Sequence, residues 1–123
     1  MPWLYKQATG QLFHNDKLIG IGYSGSPAGK NNPAMQNVRA VGPIPQGWYT
    51  IGPAYTEPYE HKAPPVMHLI PDAANEMFGR DGFLIHGDSV AAPGTASEGC
   101  IIMARPIREL VSSSSDRRLQ VLA

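Results

Sequence analysis

Short apolar runs broken by turn formers set the rhythm of this chain. Trp3-Leu4-Tyr5, Leu12-Phe13-His14 and Leu18-Ile19-Gly20-Ile21-Gly22-Tyr23 follow at close spacing, parted by Ala8-Thr9-Gly10 and Asn15-Asp16. Runs of this length between such turns predict a β-meander. Gly42-Pro43-Ile44-Pro45-Gln46-Gly47 is a rigid turn that delivers Trp48-Tyr49-Thr50-Ile51 as a strand, with Trp48 expected in the core. Val66-Met67-His68-Leu69-Ile70 predicts a buried strand stopped by Pro71. Phe83-Leu84-Ile85-His86 is a strand ending in histidine, and Gly99-Cys100-Ile101-Ile102-Met103 resumes an apolar run after a small polar loop. Residues 72–78 are expected to hold one helical turn capped by Asp72. Residues 106–111 predict the only good helix, because Pro106 falls where a helix needs no amide. Leu119-Gln120-Val121-Leu122 reads as a last strand. The stretches 24–37 and 53–65 are loops of turn formers; loops of that length either serve function or simply connect.

A length of 123 residues with 42% hydrophobic positions fits one compact domain spanning 1–123 and leaves no room for a second. Thirteen glycines and twelve prolines favour many short strands and tight turns over a helix bundle. The expected fold class is therefore mainly β. Ten basic and ten acidic side chains cancel, with no basic stripe, so nucleic acid and anionic membrane have no electrostatic support as partners. No run approaches the ~20 apolar residues of a membrane span, so no membrane insertion is expected. The first residues, Met1-Pro2-Trp3-Leu4-Tyr5-Lys6, carry no Sec pattern, which predicts either a trimmed sequence or export by a route that reads no such signal.

There is one cysteine, so no intramolecular disulfide forms and a four-cysteine zinc site is excluded. Cys100 follows Ser97-Glu98-Gly99, where Gly99 permits a sharp turn and close approach of a substrate backbone. The N–H groups of Gly99 and Cys100 are candidates for an oxyanion hole. A thiol with a pKa near ~8.5 needs a base or a cation to act as a nucleophile at neutral pH. Of the four histidines, His86 is the candidate base, because it ends a strong strand and faces the loop opened by Gly87-Asp88. Asp88 either orients the imidazole or bonds its own backbone as a turn residue. His68 reads as a core or supporting histidine, and His14 and His61 as surface residues. A zinc ion on His86, Asp88 and Cys100 is the metal alternative, although no paired ligand spacing supports it; no metal and no cofactor are expected.

Ile85-His86-Gly87-Asp88 followed by Ser97-Glu98-Gly99-Cys100-Ile101 resembles the signature of YkuD-type L,D-transpeptidases. The turn and strand at 43–51 are similar to the family's Thr-Pro-x-Gly-x-Tyr/Phe-x-Ile element, and a short helix and strand follow the cysteine. The sequence departs from that pattern at Glu98, where histidine is usual, and at Ile102, where arginine or asparagine is usual. The fourteen positions from His86 to Cys100 are also fewer than usual. His-x-Asp, a short loop and Ser-x-Gly-Cys-Ile resemble instead the type VI secretion L,D-transpeptidase effectors. So do Trp3-x-Tyr5, Thr9-Gly10, Gly22-Tyr23-Ser24-Gly25 and Lys30-Asn31-Asn32-Pro33.

The resemblance implies a YkuD-like β-sandwich or barrel with one or two short helices and a loop-rich cap formed by 24–37 and 53–65. It implies attack by Cys100 on the tetrapeptide stem of peptidoglycan, at the bond before the terminal D-alanine, with His86 as base and a thioester intermediate. Water then gives L,D-carboxypeptidase activity, and a D-amino acid gives exchange. Asp88 is assigned as orienter, Ser97 as the residue that fixes the turn and Gly99 as part of the oxyanion site. Tyr23, Lys30, Asn31, Asn32 and Glu98 are the substrate-binding candidates, with Lys30 able to pair with a stem carboxylate. The implied partners are stem peptides, the type VI secretion machinery and a cognate immunity protein, and the implied place of action is the periplasm of a target bacterium. Two other readings compete. A papain-like cell-wall amidase would carry its cysteine before its histidine, the reverse of this order. A non-catalytic module binding peptidoglycan or a partner protein would leave the thiol unperturbed.

Overall fold

The computed structural model describes residues 1–55 and 63–123. Among the described residues nine strands run in the order β3-β2-β1-β9-β5-β6-β7-β8-β4. They are β1 Trp3–Lys6, β2 Gln11–His14, β3 Lys17–Ile21, β4 Tyr23–Ser24, β5 Gly47–Ile51, β6 Met67–Pro71, β7 Leu84–His86, β8 Ile101–Ile102 and β9 Arg118–Leu122. The edge strands β3 and β4 are joined through Gly22 alone, so the two ends of the sheet meet and the sheet is a nearly closed barrel. Gly22 permits that junction: its N–H bonds Gly10 O at 2.8 Å, and a Cβ there would collide with the Ile102 carbonyl. The mainly β, single-domain expectation holds.

Alternation builds the core. Trp3 and Tyr5 on β1, Tyr49 and Ile51 on β5, and Leu119 and Val121 on β9 point inward while their neighbours face out. The predicted meander β1-β2-β3 is antiparallel, with a register shift between Leu12 and Phe13. The α-helix α1, Arg105–Ser113, the only α-helix among the described residues, has proline in its first turn and buries Arg108 and Val111. Its Ile107 lies against Gly20 of β3, where a Cβ would sit 2.9 Å away.

Four expectations need correction. Residues 72–78 form turns rather than a helical turn, and the Asp72 carboxylate is held by Arg118 at 2.6 and 2.8 Å instead of capping. Trp48 is only half-buried, on the outward side of β5 beneath Arg118; alternation gives the core place to Tyr49. His68 is exposed and stacks on Tyr55 at 4.9 Å. His14 is largely covered, stacked on Trp3 at 4.0 Å and bonded to Asp116 at 2.5 Å. His61 and part of the 53–65 loop lie outside the described residues.

Candidate active site

Parallel pairing of β7 with β8 sets Ile85 beside Ile101. Side chains alternate along a strand, so His86 and Cys100 fall on the same face. Both line one cavity of about 490 Å³, together with Arg39, Arg80, Leu84 and Glu98. The imidazole of His86 is buried and the thiol half-buried. His86 Nδ1 lies 2.8 Å from the Gly87 carbonyl. A carbonyl only accepts, so Nδ1 carries the proton and Nε2 is left as the basic nitrogen.

The loop before Cys100 is fixed by Ser97. Its buried hydroxyl donates to the Cys100 carbonyl at 2.6 Å and accepts from the N–H groups of Gly25 at 2.9 Å and Gly99 at 3.0 Å. This is the turn-fixing role expected of a serine there. It also removes the Gly99 amide from the pair of donors expected for an oxyanion hole, because that N–H is already used. Gly99 itself has φ +142, a conformation that favours glycine, and a Cβ there would meet Arg80 Nη2 at 2.6 Å and Phe83 at 2.7 Å.

The turn at 42–45 supports this loop from behind. Ser24 Oγ donates to Gly99 O at 2.8 Å and accepts from Ile44 N–H at 2.9 Å. Arg80 reaches Gln36, Pro43, Gly42 and Glu98 carbonyls at 2.6 to 3.1 Å. Ser24, part of the Gly22-Tyr23-Ser24-Gly25 motif, carried no assigned role in the sequence, and Arg80 did not stand out at all. Arg80 sits in Gly79-Arg80-Asp81-Gly82, which reads as an exposed polar turn, and charge normally means exposure.

Asp88 builds the following loop. Its carboxylate accepts from the Tyr23 hydroxyl at 2.6 Å and from the Ser89 and Gly94 amides at 2.8 and 3.1 Å. Burial pushes its pKa up, but the Tyr23 hydroxyl, the two amides and Lys30 outweigh it and hold the group below the usual range. The Tyr23 phenol is pushed up to about 12 by burial and by the Asp88 bond. Lys30 lies over the Tyr23 ring at 4.4 Å. Asn31 accepts from Ser24 N–H at 3.1 Å, and Asn32 caps the 3-10 turn Pro33–Met35. Tyr23 and Lys30 thus tie the 88–96 loop to the 24–37 loop, while Asn31 and Asn32 bond backbone within the 24–37 loop; none of the four is among the residues lining the cavity, and Glu98 is. Among the described residues no three His, Cys, Asp or Glu side chains are grouped to hold a metal ion.

The Tlde1 domain model matches residues 20–122 of the chain. The chain belongs to the Tlde1 family. This is a family of type VI secretion effectors. The match takes in both loops, His86, Cys100 and the closing strand β9, leaving out only the first meander strands. No curated protein and no solved structure gives a significant match. No helix among the described residues is long and apolar enough to cross a membrane.

Proposed function

We propose that this Tlde1 domain is a cysteine enzyme that removes or exchanges the terminal D-alanine of peptidoglycan tetrapeptide stems. The observation that carries the reading is that His86, at the end of β7, and Cys100, immediately before the parallel β8, line one open cavity. His86 Nε2 takes the thiol proton, and the thiolate attacks the carbonyl before D-alanine. The same nitrogen then returns a proton to the leaving amine. A thioester on Cys100 is resolved by water, giving carboxypeptidase activity, or by a D-amino acid, giving exchange. The Gly87 carbonyl takes the orienting part that the sequence pointed to in Asp88. Ser97 and Gly99 shape the nucleophile's loop. Arg39 and Glu98, on the cavity wall, are suited to a stem carboxylate and a stem ammonium group respectively.

Membership of a type VI effector family supports delivery into a target cell, action on its cell wall in the periplasm, and a producer protected by an immunity protein. The test is product analysis on defined tetrapeptide muropeptides, with and without added D-amino acid. The wild type releases D-alanine; Cys100→Ala abolishes release and His86→Ala lowers it by ~10²-fold or more, both with circular dichroism unchanged. Undiminished release by folded Cys100→Ala rejects the reading.

A further inference from the structure

Arg80 is a cation in a place where cations are rare. Only 5% of its surface is exposed, and among the described residues it forms no ion pair with a carboxylate. Four backbone carbonyls hold it instead. Carbonyl dipoles satisfy N–H groups but leave the net charge in place, and moving an uncompensated guanidinium out of water costs several kcal/mol. An anion forming nearby would recover part of that cost.

Each element around the guanidinium can be asked for that anion. The 36–43 segment presents carbonyls, and Phe83 presents a ring at 5.2 Å. Tyr49 on β5 is kept protonated by burial, which pushes its phenol far above the usual range. Asp81 and Glu98 line the same cavity but are exposed, where water screens them, and His86 shares the wall as a base or a second cation. Cys100 remains. It lines the cavity with Arg80, and Arg80 Nη2 bonds the Glu98 carbonyl two residues before it, at 3.1 Å. Burial pulls the Arg80 pKa down, while Tyr49 and Cys100 in their ionised forms pull it up. Such coupling is mutual, so the guanidinium favours the thiolate as the thiolate favours it.

We propose that Arg80 is a positioning residue that holds residues 98–100 in place and stabilises the ionised form of the Cys100 nucleophile. The proposal rests on Cys100 being the nucleophile of the proposed reaction. It gives the buried charge a purpose that carbonyl cages alone do not supply.

Cys100 is the only thiol of the chain, so alkylation by iodoacetamide reports on it without ambiguity. In the full chain the pH midpoint of alkylation is expected below the ~8.5 of an unperturbed thiol. Arg80→Met raises the midpoint by about one unit or more and slows alkylation at neutral pH roughly threefold to tenfold. Arg80→Lys, which keeps the charge, restores most of the shift. Arg108→Met, which breaks a similar carbonyl cage outside the cavity, leaves the midpoint alone. A folded Arg80→Met with the wild-type midpoint overturns the proposal, as does an equal shift in Arg108→Met. If Arg80→Met does not fold, the wild type still decides: the Arg80 guanidinium ¹⁵N resonance must move with the alkylation midpoint and stop moving in Cys100→Ser. A resonance that ignores the thiol titration overturns the proposal. None of these readouts needs turnover. An Arg80-dependent midpoint without D-alanine release would keep the Arg80–thiolate coupling but reject the functional reading and with it the coupling's part in that reaction; release without that dependence would overturn the coupling and leave the reading standing.

Discussion

Two arginines mark the opposite ends of the β7–β8 pair, and they differ in what lies beyond them. Arg108 fills the space beside Gly87, just after His86, and donates to the Pro65, Met103, Ala63 and Pro64 carbonyls at 2.7 to 3.3 Å. Arg80 fills the space beside Gly99, just before Cys100, with its own four carbonyls. Both are buried, at 3% and 5% exposure, and burial lowers the pKa of both. Only Arg80 borders the cavity. The same device, a guanidinium knotting irregular backbone to a strand end, is thus used once for architecture and once where a charge can act on chemistry.

Denying each arginine its space should separate the two ends most. Gly99→Ala combines a disfavoured φ with contacts to Arg80 and Phe83, and is expected to cost ~3 kcal/mol or more in urea denaturation and to abolish D-alanine release. Gly87→Ala meets Arg108 Nη1 at 2.8 Å without the φ penalty, so its cost is expected to be clearly smaller. Equal costs would contradict the contrast. Next, Arg108→Met and Arg80→Met each leave several carbonyls unsatisfied. Both should lose about 3 kcal/mol and roughly 10 °C in melting temperature, with the two separating only in thiol reactivity. Melting temperatures within a few degrees of wild type would show that neither cage stabilises the fold.

Smaller effects come from the Tyr23–Asp88 joint, which is held by a side-chain pair rather than a carbonyl cage. Tyr23→Phe removes the bonds to Asp88 and to the Ala96 amide but keeps the ring under Lys30. It should cost ~1 kcal/mol and speed amide exchange across residues 88–96 without altering strands β7 and β8. The pH effect is the smallest. Asp88 is depressed in the folded state, so its contribution is present above the unfolded value near ~3.9 and is lost as pH falls through the lower folded value. The protection of the Gly94 amide, its exchange relative to the intrinsic rate at each pH, should hold steady above about pH 5 and fall only below ~4. Loosening near neutral pH would show that the carboxylate does not hold this loop.

The strands, the meander and the helix were legible because alternation, turn formers and a first-turn proline act locally. His86 and Cys100 were legible as well, since a histidine at a strand end and a cysteine after a glycine turn carry their own chemistry. The supports were not. Arg80, Arg108 and Ser24 bond backbone groups remote in sequence, and no spacing rule announces a carbonyl cage. Asp88 shows the converse: its proximity to His86 along the chain suggested an orienter, but loop closure draws its carboxylate to Tyr23 and Gly94, and the Gly87 carbonyl stands beside Nδ1 instead. Lys30, Asn31 and Asn32 suggested ligand groups because they are polar on a long loop; in the fold Asn31 and Asn32 bond that loop's own backbone and Lys30 lies over Tyr23.

The most direct test of the account is intact-protein mass spectrometry after acid quench of the full chain mixed with tetrapeptide muropeptide. A covalent adduct is expected whose mass is the donor less D-alanine, mapped to Cys100, discharged by D-amino acid and absent in Cys100→Ala. D-alanine release by an unmodified Cys100→Ala protein at the wild-type rate would contradict it.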